Sequence, residues 1–200
     1  MTSLRVEDVG NKWLPNKINL EVTTGECLVI SGPSGVGKSL LLRAIADLDE
    51  HNGKVSLDET FCGDIPATQW RKQVGLLPAD SAWWGEQVRD HMPVLKQEQL
   101  AALGFSEDVM TWSVERLSSG EKQRLAILRV LANEPDMLLL DEPTANLDPD
   151  SVDKVEALLL GYCRNKPAGL IWVSHDAAQA KRIGDRRYHF DENGLSEVKA

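Results

Sequence analysis

Cysteine is scarce in this chain, and the three present, Cys27, Cys62 and Cys163, lie far apart with no C-x-x-C spacing. An odd, scattered set argues against a disulfide framework, and three reduced thiols used mainly for packing are expected. The four histidines are equally dispersed, so spacing suggests no zinc site. Long apolar runs are missing too, and no stretch approaches the length needed to cross a bilayer. The first residues lack the basic-then-apolar layout of a secretion signal, so a cytosolic chain is expected unless a partner holds it elsewhere. Basic charge is in deficit: 22 Lys and Arg stand against 31 Asp and Glu, a net charge of -9. That balance gives no general attraction to nucleic acid or anionic lipid. Internal repeats, low-complexity segments and extended linkers are absent as well.

What remains is a composition of 42% apolar and 26% charged residues over 200 positions, that of one globular domain with room for a small inserted lobe. Its most informative stretch is Gly32, Pro33, Ser34, Gly35, Val36, Gly37, Lys38 and Ser39, a full G-x-x-x-x-G-K-[ST]. The apolar run 27–30 precedes it and the helical run 40–45 follows, which is the setting that motif requires. Glycines let several main-chain N–H groups converge on one point, and a helix N-terminus adds its dipole, so the stretch reads as a phosphate cradle. Lys38 then reaches the β- and γ-phosphates and the Ser39 hydroxyl ligates magnesium. A ligand-free glycine-rich turn is the alternative, and the complete motif between strand and helix favours the cradle.

Around this stretch the pattern alternates. Residues 4–9 and 18–22 read as strands of an antiparallel layer, with Trp13 between them. Trp13 either stacks on a base or covers the edge of the core, and both readings stand. Asn52 and Gly53 signal a turn before a strand at 54–58, and residues 74–77 form a strand that Pro78 stops. Residues 79–117 change character, with Trp83 and Trp84, a turn at Gly85, and short helical patterns at 94–103 and 108–114. They are expected to form a small helical lobe. Ser118 and Glu121 flank Ser119 and Gly120 in the S-x-x-E form of a capping box, so a helix should start immediately after Ser118. Residues 137–140 make a continuous apolar strand ending in Asp141 and Glu142, and acids placed beyond a buried strand end lie where open α/β sheets bind ligands. Asp148 followed by Pro149 marks a helix N-cap. Residues 170–173 are a further buried strand leading to Ser174 and His175, and 188–190 an edge strand before a turn at 192–194.

In this order the features resemble the ATP-binding cassette (ABC) ATPases: the cradle at 32–39, the signature at 117–121, Asp141 with Glu142, the turn 145–148, and His175. The resemblance covers essentially the whole chain. It implies an α/β P-loop NTPase with a mainly parallel core sheet, an antiparallel β layer and a helical subdomain at 79–117, the core being 1–78 and 118–200. It also implies an ATPase. Lys38 and the loop amides bind phosphate, Ser39 and Asp141 hold Mg2+, Glu142 polarises the attacking water, His175 contacts the γ-phosphate, and Trp13 stacks on adenine. Ser118, Ser119, Gly120 and Glu121 of one subunit close over ATP held by the other, with Asp148 at the seam of a homodimer or a heterodimer with a related cassette. The implied setting is the cytoplasmic face of the inner (plasma) membrane, driving a permease on a separate chain, with no nucleic acid partner.

Two positions depart from that family's pattern. Ala79 stands where a glutamine usually touches magnesium, leaving that place to Asp80 or to water, and Ser119 replaces the first of two glycines. These departures keep a weakly hydrolysing, nucleotide-gated module in view as an alternative, beside a non-transport ABC ATPase. The short lobe leans toward an exporter-type system, with Trp83 and Trp84 either docking on the permease or packing in the core.

Overall fold

The computed structural model describes residues 2–92, 95, 97–166 and 168–198. Two sheets carry the fold. In the first, β1 (Ser3–Asn11), β2 (Leu14–Thr23), β4 (Asn52–Leu57) and β5 (Thr60–Phe61) run antiparallel in the order β2-β1-β4-β5. The second has the order β10-β9-β3-β8-β7-β6, built from β3 (Cys27–Ser31), β6 (Val74–Leu77), β7 (Met137–Asp141), β8 (Gly169–Val173), β9 (Arg186–Asp191) and β10 (Gly194–Glu197). All its pairings are parallel except β9 with β10. The helices are α1 (Lys38–Ile45), α2 (Ala67–Gln73), α3 (Gln97–Ala102), α4 (Ser119–Leu131), α5 (Pro149–Asn165) and α6 (Ala177–Ile183).

The parallel strands are buried on both faces, and side chains alternate between two cores because successive residues of a strand point oppositely. Leu28, Ile30, Leu139 and Ile171 join Leu41, Ile45 and Trp70 beneath the antiparallel layer. Val29, Leu138, Leu140 and Trp172 join Leu125, Leu128 and Leu159 on the opposite face. Each such side chain, removed from water, contributes about 1.5–3 kcal/mol. Trp70 is fully buried and its indole N–H donates to the Ile45 carbonyl at 2.9 Å, fastening α2 to the end of α1.

Three expectations need correction. The strand at 188–190 is not an edge: β9 lies between β3 and β10, and β10 is the edge. Asn52 and Gly53 do not precede a strand but begin it, with Gly53 at φ 83 beside a register shift opposite Asp8. A Cβ there would sit 2.4 Å from the carbonyls of Glu7 and Asp8, so the residue allows a bulge rather than a turn. Between 79 and 117 the described residues form mostly 3-10 turns, Val88–His91, Glu107–Thr111 and Val114–Arg116, with α3 as the one α-helix. Val94, where the first helical pattern was expected to begin, lies outside the described residues.

Candidate active site

Four neighbouring parallel strands, β3, β8, β7 and β6, end on the same side of their sheet and deliver most of the predicted site residues there. From β3 the chain enters the loop at 32–39, where Gly32, Gly35 and Gly37 take φ of 148, 77 and 115. At Gly32 the need is also steric, since a Cβ would lie 2.0 Å from the Phe190 carbonyl oxygen of β9. α1 starts at Lys38 with Gly37 as N-cap and no side chain capping it, which leaves its first N–H groups for a ligand. Pro33, Ser34 and Ser39 are exposed and Val36 half-buried. Lys38 is 6% exposed, and its ammonium donates to the carbonyls of Gly32 and Pro33 at 3.0 and 2.8 Å. Burial lowers the pKa of this lysine, while the nearby carboxylates Glu142 and Asp141 act in the opposite direction.

Asp141 is the last residue of β7 and 5% exposed. Burial raises its pKa, opposed by a hydrogen bond from the Ser39 hydroxyl, while the Glu142 charge raises it further. Lys38 and the main chain of Ala79 also favour its ionised form. The Ala79 side chain is only a methyl, but its main chain therefore reaches the acid at the end of the adjacent strand. Glu142 adopts φ 51, with its N–H bonded to the Val173 carbonyl of β8 at 3.2 Å. That backbone aims its carboxylate at His175, whose Nε2 lies 2.8 Å from Glu142 Oε1.

Other predicted residues lie apart from this cluster. Ser118 is the N-cap of α4 in a complete capping box: Glu121 N–H donates to Ser118 Oγ at 3.2 Å and Ser118 N–H to Glu121 Oε2 at 2.8 Å. Ser119 opens the helix, and a Cβ on Gly120 would meet Leu147 Cδ2 at 3.3 Å. The signature thus packs on the turn that leads to Asp148, which caps α5 by accepting from Ser151 N–H at 3.0 Å. Trp13, in the turn between β1 and β2, is 65% exposed, so it covers no core. Trp83 and Trp84 divide: Trp83 packs against the second core, whereas Trp84 is 73% exposed.

A polar network beneath the site escaped the sequence reading. Gln179 is 4% exposed; its Oε1 accepts from Ser174 Oγ at 2.7 Å, and its Nε2 donates to Thr144 Oγ1 at 2.9 Å and Glu156 Oε1 at 2.8 Å. Arg182 completes it with two bonds to Glu156, at 3.0 and 2.7 Å. The residue before His175 and the turn after Glu142 are thereby tied to α5 and α6. Only the proximity of Ser174 to His175 could have hinted at it. Cys62 also lies close to His51 and Asp47, a proximity that their sequence spacing does not suggest.

A phosphate loop at the end of a parallel strand, with a buried lysine and two acids at the end of the strand two places away, defines a P-loop nucleotide-binding fold. The profile of the ABC transporter family matches residues 15–145, and the chain belongs to that family. It is accordingly an ATP-binding ATPase. Among curated relatives, it is 33% identical over 215 residues to the phosphate import ATP-binding protein PstB of Mycobacterium intracellulare, covering 94% of this chain and 74% of that one. It is 29% identical over 180 residues to the probable iron export ATP-binding protein FetA of Escherichia coli (strain K12), covering 84% and 80%. The fold is shared with a solved bacterial Atm1-family ABC exporter with ATP bound, at a TM-score of 0.83 and 23% identity. That match takes in 98% of this chain but 38% of the exporter.

Proposed function

We propose that this chain is the ATP-hydrolysing subunit of a transporter, pairing head to tail with a second cassette, identical or related, around ATP and driving a permease on a separate chain. The observation that carries this reading is the 2.8 Å approach of His175 Nε2 to Glu142 Oε1 beside buried Lys38 and Asp141. Phosphoryl transfer needs positioning and charge stabilisation more than covalent chemistry, and these groups supply both. Phosphate oxygens replace the Gly32 and Pro33 carbonyls as partners of Lys38, and the free N–H groups of the loop and α1 take the remaining charge. Glu142 orients or deprotonates the attacking water, and His175 holds Glu142 in place and contacts the γ-phosphate. Ser39 and Asp141, a hydroxyl and a carboxylate already hydrogen-bonded to each other, offer the hard oxygens that Mg2+ takes. When bound, that ion neutralises charge on the phosphate oxygens. Trp13, exposed at the mouth of the β1–β2 turn, stacks on adenine.

In the pair, Ser118, Ser119, Gly120 and Glu121 of one subunit close over the other's nucleotide, and Asp148 lies at the seam. Hydrolysis removes the contacts that hold the pair shut, which gives a two-state element. Residues 79–117 act as the helical subdomain that meets the permease. Exposed Trp84, with Arg129 5.5 Å from its ring, supports that assignment. No helix among the described residues is long and apolar enough to cross a membrane, which suits a peripheral subunit on the cytoplasmic face of the inner (plasma) membrane.

The test is ATP turnover by the purified chain beside Glu142→Gln, each also sized with and without Mg-ATP. Turnover in the first, none in the second, and an ATP-trapped dimer of the variant are expected. ATP binding without turnover in either would favour the second reading, a weakly hydrolysing module, which the methyl of Ala79 motivates.

A further inference from the structure

At the other end of α1 from the nucleotide loop, three residues that are scattered in sequence converge. Asp47, His51 and Cys62 each present a ligand atom, and these atoms all lie within 4.8 Å of one another. We propose that they form a binding site for a late divalent transition metal of the zinc class, separate from the Mg-ATP site.

The donor set is one thiol, one imidazole and one carboxylate, the borderline combination that zinc and its neighbours prefer over magnesium or calcium. Each donor is held by its backbone. Asp47 sits just past α1 at φ 54, where its N–H bonds the Ala44 carbonyl at 3.0 Å and its own carbonyl accepts from Arg71 at 2.6 Å. Among the described residues no cation pairs with its carboxylate. His51 Nδ1 lies 3.1 Å from the Asn52 carbonyl. A proton on Nδ1 donated to that oxygen leaves the Nε2 lone pair for a metal, the arrangement that fixes the tautomer of a ligating histidine. Cys62 is 8% exposed, and its burial together with the Asp47 carboxylate beside it disfavours a bare thiolate, so the sulfur ionises only against a bound cation.

The three residues line a cleft of about 1300 Å³, so a fourth coordination position opens to water. Two lysines share that cleft, but Lys12 lies 4.9 Å over the Trp13 ring and Lys54 5.2 Å over Phe61. An ion bound by a thiolate, a carboxylate and a neutral imidazole would be charge-balanced, which the cluster of donors alone is not. Tetrahedral coordination at ordinary bond lengths sets ligand atoms about 3.5 Å apart, so the widest separation must close by about 1 Å, within reach of side-chain torsions. Bound metal would clamp the end of α1 to β4 and to the turn after β5.

The experiment uses the full chain without a histidine tag, stripped with chelator and titrated with Co2+ in the absence of nucleotide. One Co2+ per chain is expected, with a thiolate-to-cobalt charge-transfer band and tetrahedral visible bands that Zn2+ abolishes. Co2+ at Ser39 and Asp141 has no sulfur ligand and gives no such band. Cys62→Ser should remove the charge-transfer band, Cys27→Ser and Cys163→Ser should keep it, and His51→Gln should weaken binding at least tenfold. His51 is only half-buried, so its variant reports even if Cys62→Ser fails to fold. Absence of the band in the wild type, its persistence in Cys62→Ser, or wild-type affinity in His51→Gln would overturn the proposal.

Discussion

Replacing Gln179 by Met keeps the volume of the side chain and deletes its amide, which isolates the polar network beneath the catalytic strand ends. Three hydrogen bonds disappear, to Ser174, Thr144 and Glu156. The two neutral ones are worth about 1 kcal/mol each and the one to the Glu156 carboxylate about 2, so Gln179→Met should destabilise the chain by about 4 kcal/mol. Ser174 immediately precedes His175, and Thr144 lies two residues beyond Glu142. Loosening both ends should misplace His175 against Glu142, and a misplacement near 1 Å costs on the order of 100-fold in rate. Turnover number should therefore fall by about 10- to 100-fold while KM for ATP holds, because the loop at 32–39 makes no contact with Gln179 in this network. Urea unfolding followed by tryptophan fluorescence gives the stability change, and steady-state phosphate release gives the split between kcat and KM. A stability loss below about 1 kcal/mol together with wild-type kcat would refute the reasoning. So would a rise in KM at unchanged kcat, which would place the effect on nucleotide binding instead.

Gly32→Ala should abolish ATP binding by calorimetry while the chain stays folded by circular dichroism, because its Cβ would meet the Phe190 carbonyl 2.0 Å away and push the loop out of register. Ser118→Ala removes the N-cap of α4 and should cost about 1 kcal/mol in thermal unfolding, with Ser118→Asp recovering most of it. Burial pushes the Cys163 thiol up to about 11, so between the 9.0 of an exposed thiol and that value the folded chain holds a proton the unfolded chain has lost. Stability should consequently fall as pH rises through this window and be unaffected by this group below it, and Cys163→Ala should lessen that slope in pH-dependent denaturation without removing it, since burial also raises the Cys27 and Cys62 thiols.

Much of the nucleotide site was legible because its parts are local. The glycines of 32–39 answer to backbone conformation, the Ser118–Glu121 box to the unpaired N–H groups of one helix end, and Asp148 with Pro149 to another. Apolar runs at 27–30, 137–140 and 170–173 announced strands buried on both faces, and the residues just past them fell where such sheets bind ligands. The segment 79–117 was less legible because 3-10 turns carry little periodicity and are held by side chains such as Val88, Leu103 and Val109, which pack into a core supplied by other elements. The misplacement of residues 188–190 has a similar origin: a strand of three apolar or aromatic residues looks the same at an edge as beside one.

The sequence by itself determined the P-loop fold, the phosphate loop, the acids that follow β7 and the caps of α4 and α5, since each depends on chemistry within a few residues of chain. Tertiary structure alone decided the order of the parallel strands, the contact of Glu142 with His175, the Gln179 network, and the meeting of Asp47, His51 and Cys62. Periodicity records which face of an element is buried but not which element buries it, and side chains separated by many residues meet only once the layers have packed.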